Sequence, residues 1–348
     1  MKGPIFRPHG DIQTAVVTLV DRLAPLVALP EQPALARDIA ARIAATPSSM
    51  ADAMFLRQSI IRGGTATRDH VIEGLAAWVT VLFDLGNLRH DRARATDLRA
   101  VLPEDAVARL GTALSRSRNG CILAVPHIGS IELFAAHLAD RGFTVGFVYT
   151  IGETPTPTEQ WILEGRRATL GTPIAFGRRT TGAAIAAVLR DNGVVFMVAD
   201  VYPSARYKGI PVRIHDVGFR YPPGPARYAR TGTLVLPGYA SRRDTQGISM
   251  QILDPIEDPA WMSGPNPAAA FTQDLAVRLS GFIADQPAAY WLWHPIPNDP
   301  FVAMAQQLRP GLLRDMTATE ADDEVTAHAV AALDAALTAG GGADRLTE

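Results

Sequence analysis

The run Cys121-Ile-Leu-Ala-Val125 is five apolar residues in a row, stopped by Pro126, after which the period changes. Ile131, Leu133, Phe134, Ala135, Leu138 and Ala139 recur at helical spacing until Gly142 closes the pattern. A short apolar run bounded by proline reads as a buried strand, and the spacing after it reads as a helix over 131 to 141. Such a strand-turn-helix unit is a building block of α/β sheets. The same alternation predicts strands at about 144 to 150, 194 to 199, 233 to 239 and 248 to 253, and helices at about 158 to 170, 180 to 191, 224 to 231 and 267 to 285. Residues 10 to 118 read instead as helices broken by Pro25, Pro30, Pro33, Pro47, Gly63-Gly64 and Pro103. The expected fold class is therefore α/β, a central mostly parallel or mixed sheet flanked by helices. Its expected divisions are an N-terminal helical region over 1–118, a core over 119–310, and a C-terminal Ala-rich helix with a polar tail over 311–348.

Composition excludes several classes. The chain has 348 residues, 47% of them hydrophobic, and a net charge of -2, which is ample for a large core and gives no basic excess for nucleic acid. Its single cysteine, Cys121, excludes an internal disulfide and a multi-cysteine zinc site, fits a reducing cytoplasm, and reads as a small core residue inside its strand. The eight histidines form no metal-ligand spacing, and no Gly-x-Gly-x-x-Gly or phosphate loop is present, so no bound metal or nucleotide cofactor is expected. Gly129-Ser-Ile-Glu lacks the second glycine of the nucleophile elbow. Leu23 to Pro30 is far shorter than the ~20 residues a spanning helix needs. The segment Val71 to Leu85 places Ile72, Leu75, Trp78, Val79, Leu82 and Leu85 on one helical face and reads as core. These features predict a cytoplasmic protein with at most peripheral membrane contact.

Between the strand and the helix lies the candidate chemistry. His127 follows the strand and Glu132 occupies the first helical turn, the spacing His-x-x-x-x-Glu. An imidazole can take a proton near neutral pH, and a carboxylate within hydrogen-bond reach fixes its tautomer and stabilises the imidazolium. Glu132 is the expected carboxylate. The bland alternative is a loop histidine beside a solvated glutamate that complements the helix dipole.

The whole run from Val125 to Tyr149 resembles the catalytic segment of the lysophospholipid acyltransferase superfamily, closest to its lipid A late acyltransferase and phosphatidylinositol mannoside acyltransferase branch. His-Ile-Gly-Ser-Ile-Glu keeps the His, Gly and Glu of that branch's His-x-Gly-Asn-Trp-Glu and replaces Asn-Trp by Ser130-Ile131. Further matches, in the same order, are Leu189 to Asp200, Tyr207 to Val212, Gly224 to Pro237 and Tyr290-Trp-Leu-Trp-His294. The resemblance implies a glycerol-3-phosphate acyltransferase-like fold and transfer of a fatty acyl group from an acyl-carrier-protein or coenzyme A thioester to a hydroxyl or amine of a glycolipid or natural-product acceptor. His127 would be the general base and Glu132 its partner. An acyl-thioester hydrolase or a non-catalytic acyl-binding protein is the alternative.

Gly129, Ser130, Asp200, Arg227 and Arg230 are candidates for the oxyanion or the thioester, with the backbone N–H groups after Gly129 as oxyanion donors. Residues 311–348 hold eight acidic and two basic side chains, so the remainder carries a positive surplus that suits an acidic carrier protein. Arg178, Arg179, Arg206, Lys208 and Arg213 are the candidate docking residues, and His294 is expected on the acceptor side. Where the lipid A branch continues its Trp-x-His element into a basic stretch, this chain reads Trp293-His-Pro-Ile-Pro-Asn-Asp-Pro300. Asp299 there would repel a phosphate, so a neutral or amine-bearing acceptor is expected.

Overall fold

A computed structural model of the chain describes residues 10–45, 49–62, 66–97, 100–101, 104–117, 119–149, 155–169, 171–200, 209–214, 217–242, 248–257 and 263–291. Strands β1 (Ala100–Val101), β2 (Cys121–Val125), β3 (Val145–Tyr149), β4 (Thr172–Ala175), β5 (Val194–Val198), β8 (Leu234–Arg242) and β9 (Ile248–Ile252) form one sheet in the order β1-β9-β8-β2-β5-β3-β4. Pairing is parallel throughout except between β8 and β9. The expected α/β class with a mostly parallel, mixed sheet is what the chain adopts. A separate antiparallel pair, β6 (Ile210–Ile214) and β7 (Val217–Tyr221), stands beside it.

The period of two along each strand builds two apolar layers. Cys121, Leu123 and Val125 of β2, with Val194 and Phe196 of β5, face helices α6 (Glu104–Arg116) and α7 (Ile131–Asp140). Phe196 stacks on Phe147 and meets Phe134 of α7 edge-on. Ile122, Ala124, Val195 and Met197 face the other way, toward α9 (Thr181–Arg190), α10 (Gly224–Ala229) and α11 (Pro267–Asp285). Each fully buried Leu, Ile or Phe in these layers contributes about 1.5–3 kcal/mol relative to exposure. Cys121 lies inside its strand as expected, and burial pushes its thiol up to about 12, which leaves it an inert core residue.

Helices α1 (Gly10–Leu23), α2 (Gln32–Ala45), α3 (Ser49–Ile61) and α4 (Arg68–His90) share a third apolar cluster. By length and composition α4 could cross a membrane, yet 78% of its most apolar window is buried inside the protein. Val79, Leu75 and Leu82 point into the cluster, as their spacing predicts. Helices α5 (Arg92–Asp97) and α8 (Pro157–Arg167) complete the described set.

Four strands escape the sequence reading. Thr172-Pro-Ile-Ala carries a proline that reads as a break, but β4 is an edge strand, where the missing N–H faces no ladder partner. The β6–β7 ribbon likewise admits Pro211. Two-residue β1 interrupts the helical expectation over 10 to 118, too short to produce any alternation. The expected helix near 323 to 338 lies outside the described residues.

One tight spot fixes the base of the sheet. Gly120 has φ +32, and a Cβ there would sit 2.3 Å from the Gly193 carbonyl oxygen, the same oxygen that accepts the Cys121 N–H. A bare glycine lets β2 and β5 start side by side.

His137 gives the fold a pH dependence. It is 7% exposed on α7, and burial, opposed by Asp140 and reinforced by Arg141 and Arg92, lowers its pKa to about 4. The folded protein therefore keeps it neutral where the unfolded chain, near the ordinary 6.5, takes up a proton. Stability present above pH 6.5 is lost as the pH falls toward 4, by about 3 kcal/mol in all. Urea midpoints should fall between pH 7.5 and 4.5, and His137→Gln should flatten that decline; an unchanged slope in the variant would contradict the assignment.

Candidate functional site

The site is assembled by register. Val125 pairs with Val198, and the Ala199 N–H donates to the Val125 carbonyl at 2.9 Å, so His127 and Asp200 each stand two residues past paired positions on neighbouring parallel strands. After β2 the chain crosses β5 through α7 on one face to reach β3. After β5 it crosses β2 through α10 on the other face to reach β8. Exits that diverge in this way open a crevice at the carboxyl ends of the strands, the usual ligand site of such sheets.

His127 and Asp200 meet there. The His127 backbone N–H donates to Asp200 Oδ2 at 2.8 Å, and His127 Nδ1 lies 2.7 Å from Asp200 Oδ1. A carboxylate only accepts, so Nδ1 is the donor in this contact, the tautomer that in a neutral imidazole places the lone pair on Nε2. The Asp200 side chain is 1% exposed and the His127 side chain 20%, which puts the carboxylate behind and the imidazole in front.

Glu132 takes a different place from the one expected. Its Oε1 accepts from Arg166 Nε at 2.9 Å, and its side chain is 3% exposed. Arg166 belongs to α8 and also lies 5.8 Å over the Tyr149 ring at the end of β3. Glu132 therefore ties the start of α7 to α8, while Asp200 is the carboxylate on His127. Glu132, the second residue of α7, is engaged by Arg166 of α8, whereas strand pairing brings Asp200 beside His127.

The other candidates divide. The Gly129 N–H donates to the Ala289 carbonyl at 3.3 Å and so is not an oxyanion donor; with φ 58, Gly129 supplies the left-handed bend between strand and helix. Ser130 precedes α7 as its N-cap residue without a side-chain cap bond, and its buried Oγ has no partner among the described residues. Arg227 and Arg230 are exposed on and just after α10, against β8 and β2, whereas Arg178 and Arg179 follow edge strand β4. The strand order keeps these two arginine pairs apart. Arg213 is exposed on β6, and its backbone N–H donates to Gln273 Oε1. Arg206, Lys208 and His294 lie outside the described residues, as does the stretch 293–300.

Sequence reasoning missed Trp291. Its backbone N–H donates to the His127 carbonyl at 3.1 Å, and its Nε1–H donates to the Gly129 carbonyl at 2.9 Å. Tyr290 bridges Ile128 beside it, and the two rings of Trp291 and His127 stand 4.9 Å apart at 86°. The aromatic string at 290 to 294 was the only signal, and nothing local says which ring reaches His127.

The Glu132–Arg166 pair carries its own test. Arg166→Gln leaves a buried carboxylate without its cation, which should cost about 2–4 kcal/mol, the lower end reflecting the partly exposed Arg166. Adding Glu132→Gln should recover most of that loss in urea denaturation; additive losses would show that the two side chains are uncoupled.

Comparison with known proteins follows the same residues. No curated protein matches the chain. The family described as bacterial lipid A biosynthesis acyltransferase matches residues 70–296, a span that runs from α4 through the whole sheet and includes His127, Glu132, Asp200 and Trp291. With nearly two thirds of its length matched, the chain belongs to this acyltransferase family of lipid A biosynthesis.

Proposed function

We propose that the protein transfers a fatty acyl group from an acyl-carrier-protein or coenzyme A thioester to a hydroxyl or amine, with His127 as general base and Asp200 as the carboxylate that orients it. The observation that carries this reading is the pair of contacts from Asp200 to the N–H and the Nδ1 of His127 at the mouth of the strand crevice. A hydroxyl or amine approaching Nε2 gives up its proton as it attacks the thioester carbonyl. The thiol then leaves as the tetrahedral intermediate collapses, taking back the proton held on the imidazolium, and Asp200 offsets the imidazolium charge in between. A positioned base of this kind typically contributes about 10²–10⁴-fold in rate.

Backbone N–H groups at the N-terminus of α7, beyond Gly129, are the candidate donors for the oxyanion. Arg178 and Arg179, exposed past β4, remain the candidate docking residues for an acidic carrier protein. The acceptor is read as a glycolipid or natural-product compound reached from the cytoplasmic side, with the protein at most peripheral on the membrane. Asp299, in the sequence after His294, favours a neutral or amine-bearing acceptor over a phosphorylated one.

His127→Ala should lower acyl transfer at least 10²-fold with the fold intact by circular dichroism. The assay offers palmitoyl-acyl-carrier protein and palmitoyl-coenzyme A with phosphorylated, neutral and amino-sugar glycolipid acceptors, and follows products by mass spectrometry. Free fatty acid alone would identify a hydrolase, unchanged thioester a binding protein, and near-parental transfer in His127→Ala would end the proposed mechanism.

A further inference from the structure

We propose that Trp291 is a positioning residue for His127, holding both the catalytic loop and the plane of the imidazole from a segment 162–164 residues away in the sequence; the proposal rests on the reading of His127 as the base. Three bonds join the two segments. The Trp291 N–H to the His127 carbonyl and the Trp291 Nε1–H to the Gly129 carbonyl hold the loop from one side, and the Gly129 N–H to the Ala289 carbonyl closes it from the other. An isolated antiparallel bridge between Ile128 and Tyr290 lies among these bonds and lays the last described residues against the loop. Further back, Gln58 of α3 donates to the Pro287 carbonyl at 2.9 Å, so the turn that presents Trp291 is itself anchored in the N-terminal helices.

Ring geometry adds the second part. The terminal torsion of a histidine is broad rather than locked in one staggered well. Asp200 restrains Nδ1 through one hydrogen bond, which leaves the plane able to rock about it. An indole standing 4.9 Å away at 86° blocks that rocking and keeps Nε2 aimed at the crevice. Such edge contacts between rings are favourable in themselves. The stake is large, because misplacing a reacting group by roughly 1 Å costs on the order of 10²-fold in rate. A leucine or methionine would fill the space but offer neither the flat wall nor the Nε1–H donor.

The test reads His127 directly. In the ¹⁵N-histidine-labelled full chain, the proton on Nδ1 facing a carboxylate gives a downfield resonance, assigned by its loss in His127→Ala. Trp291→Leu should broaden or remove that resonance while circular dichroism keeps the parental fold. With it, kcat for the acyl-thioester the parent turns over, followed by thiol release, should fall roughly 10²-fold with KM within about twofold. Trp291→Phe keeps a ring and loses only the Nε1–Gly129 bond, so it should retain the resonance at reduced intensity and lose roughly tenfold in kcat. A sharp parental resonance in both variants overturns the proposal, as does an equal drop in kcat for Phe and Leu that tracks a lowered melting temperature. A lost resonance with unchanged kcat upholds the contact and overturns the assignment of His127 as base, so the two failures are distinguishable.

Discussion

The in-register parallel pairing of β2 with β5 is the constraint on which the rest depends. Because Val125 and Val198 are partners, the residues two beyond them emerge from the sheet side by side, and they are His127 and Asp200. A slip of one residue would turn every side chain of β5 to the opposite layer, exchanging Phe196 for Met197 against α7. The hydrophobic layers therefore hold the register of the His127–Asp200 pair: the same burial that stabilises the core prevents Asp200 from drifting off His127. Gly120 guards the other end of this pairing, where no side chain fits between the starts of the two strands.

The two carboxylates considered for His127 have different partners. Among the described residues the Asp200 carboxylate hydrogen-bonds His127 twice, at the ring Nδ1 and at the backbone N–H. Glu132 sits beside an arginine, and a carboxylate paired with a guanidinium is a structural strut more than a proton-handling partner. The strut bears on the proposed chemistry, because it fixes the start of α7, the helix whose first N–H groups are the proposed oxyanion donors. Trp291 completes the enclosure from the far end of the matched span, so the loop 127–129 is held by β5, by α7 and by the 287–291 turn.

Most of the sheet was legible in the sequence, and the illegible parts have physical reasons. Cys121–Val125, Val145–Tyr149 and Val194–Val198 are continuous apolar runs because both their faces are covered, and such runs announce themselves. Thr172–Ala175 and the Ile210–Tyr221 ribbon lie at edges or outside the sheet, where prolines and polar residues are tolerated and erase the signal. The sequence singles out His127 by its place between strand and helix, and the structure puts it at the end of β2 against Asp200. Sequence proximity pointed to Glu132, five residues away, whereas the carboxylate hydrogen-bonded to His127 is Asp200, 73 away, which only strand order brings close. Trp291 was hidden for the same reason.

The central claim is that Asp200, and not Glu132, is the carboxylate that makes His127 a base. It is tested most directly by comparing Asp200→Asn with Glu132→Gln in single-turnover acyl transfer, using folded proteins and one acyl-thioester donor. The account predicts a loss of at least 10²-fold in Asp200→Asn, since the amide can present its N–H to Nδ1 and favour the wrong tautomer, and a loss within about tenfold in Glu132→Gln. The reverse ranking, with Asp200→Asn near the parental rate and Glu132→Gln inactive, would contradict it.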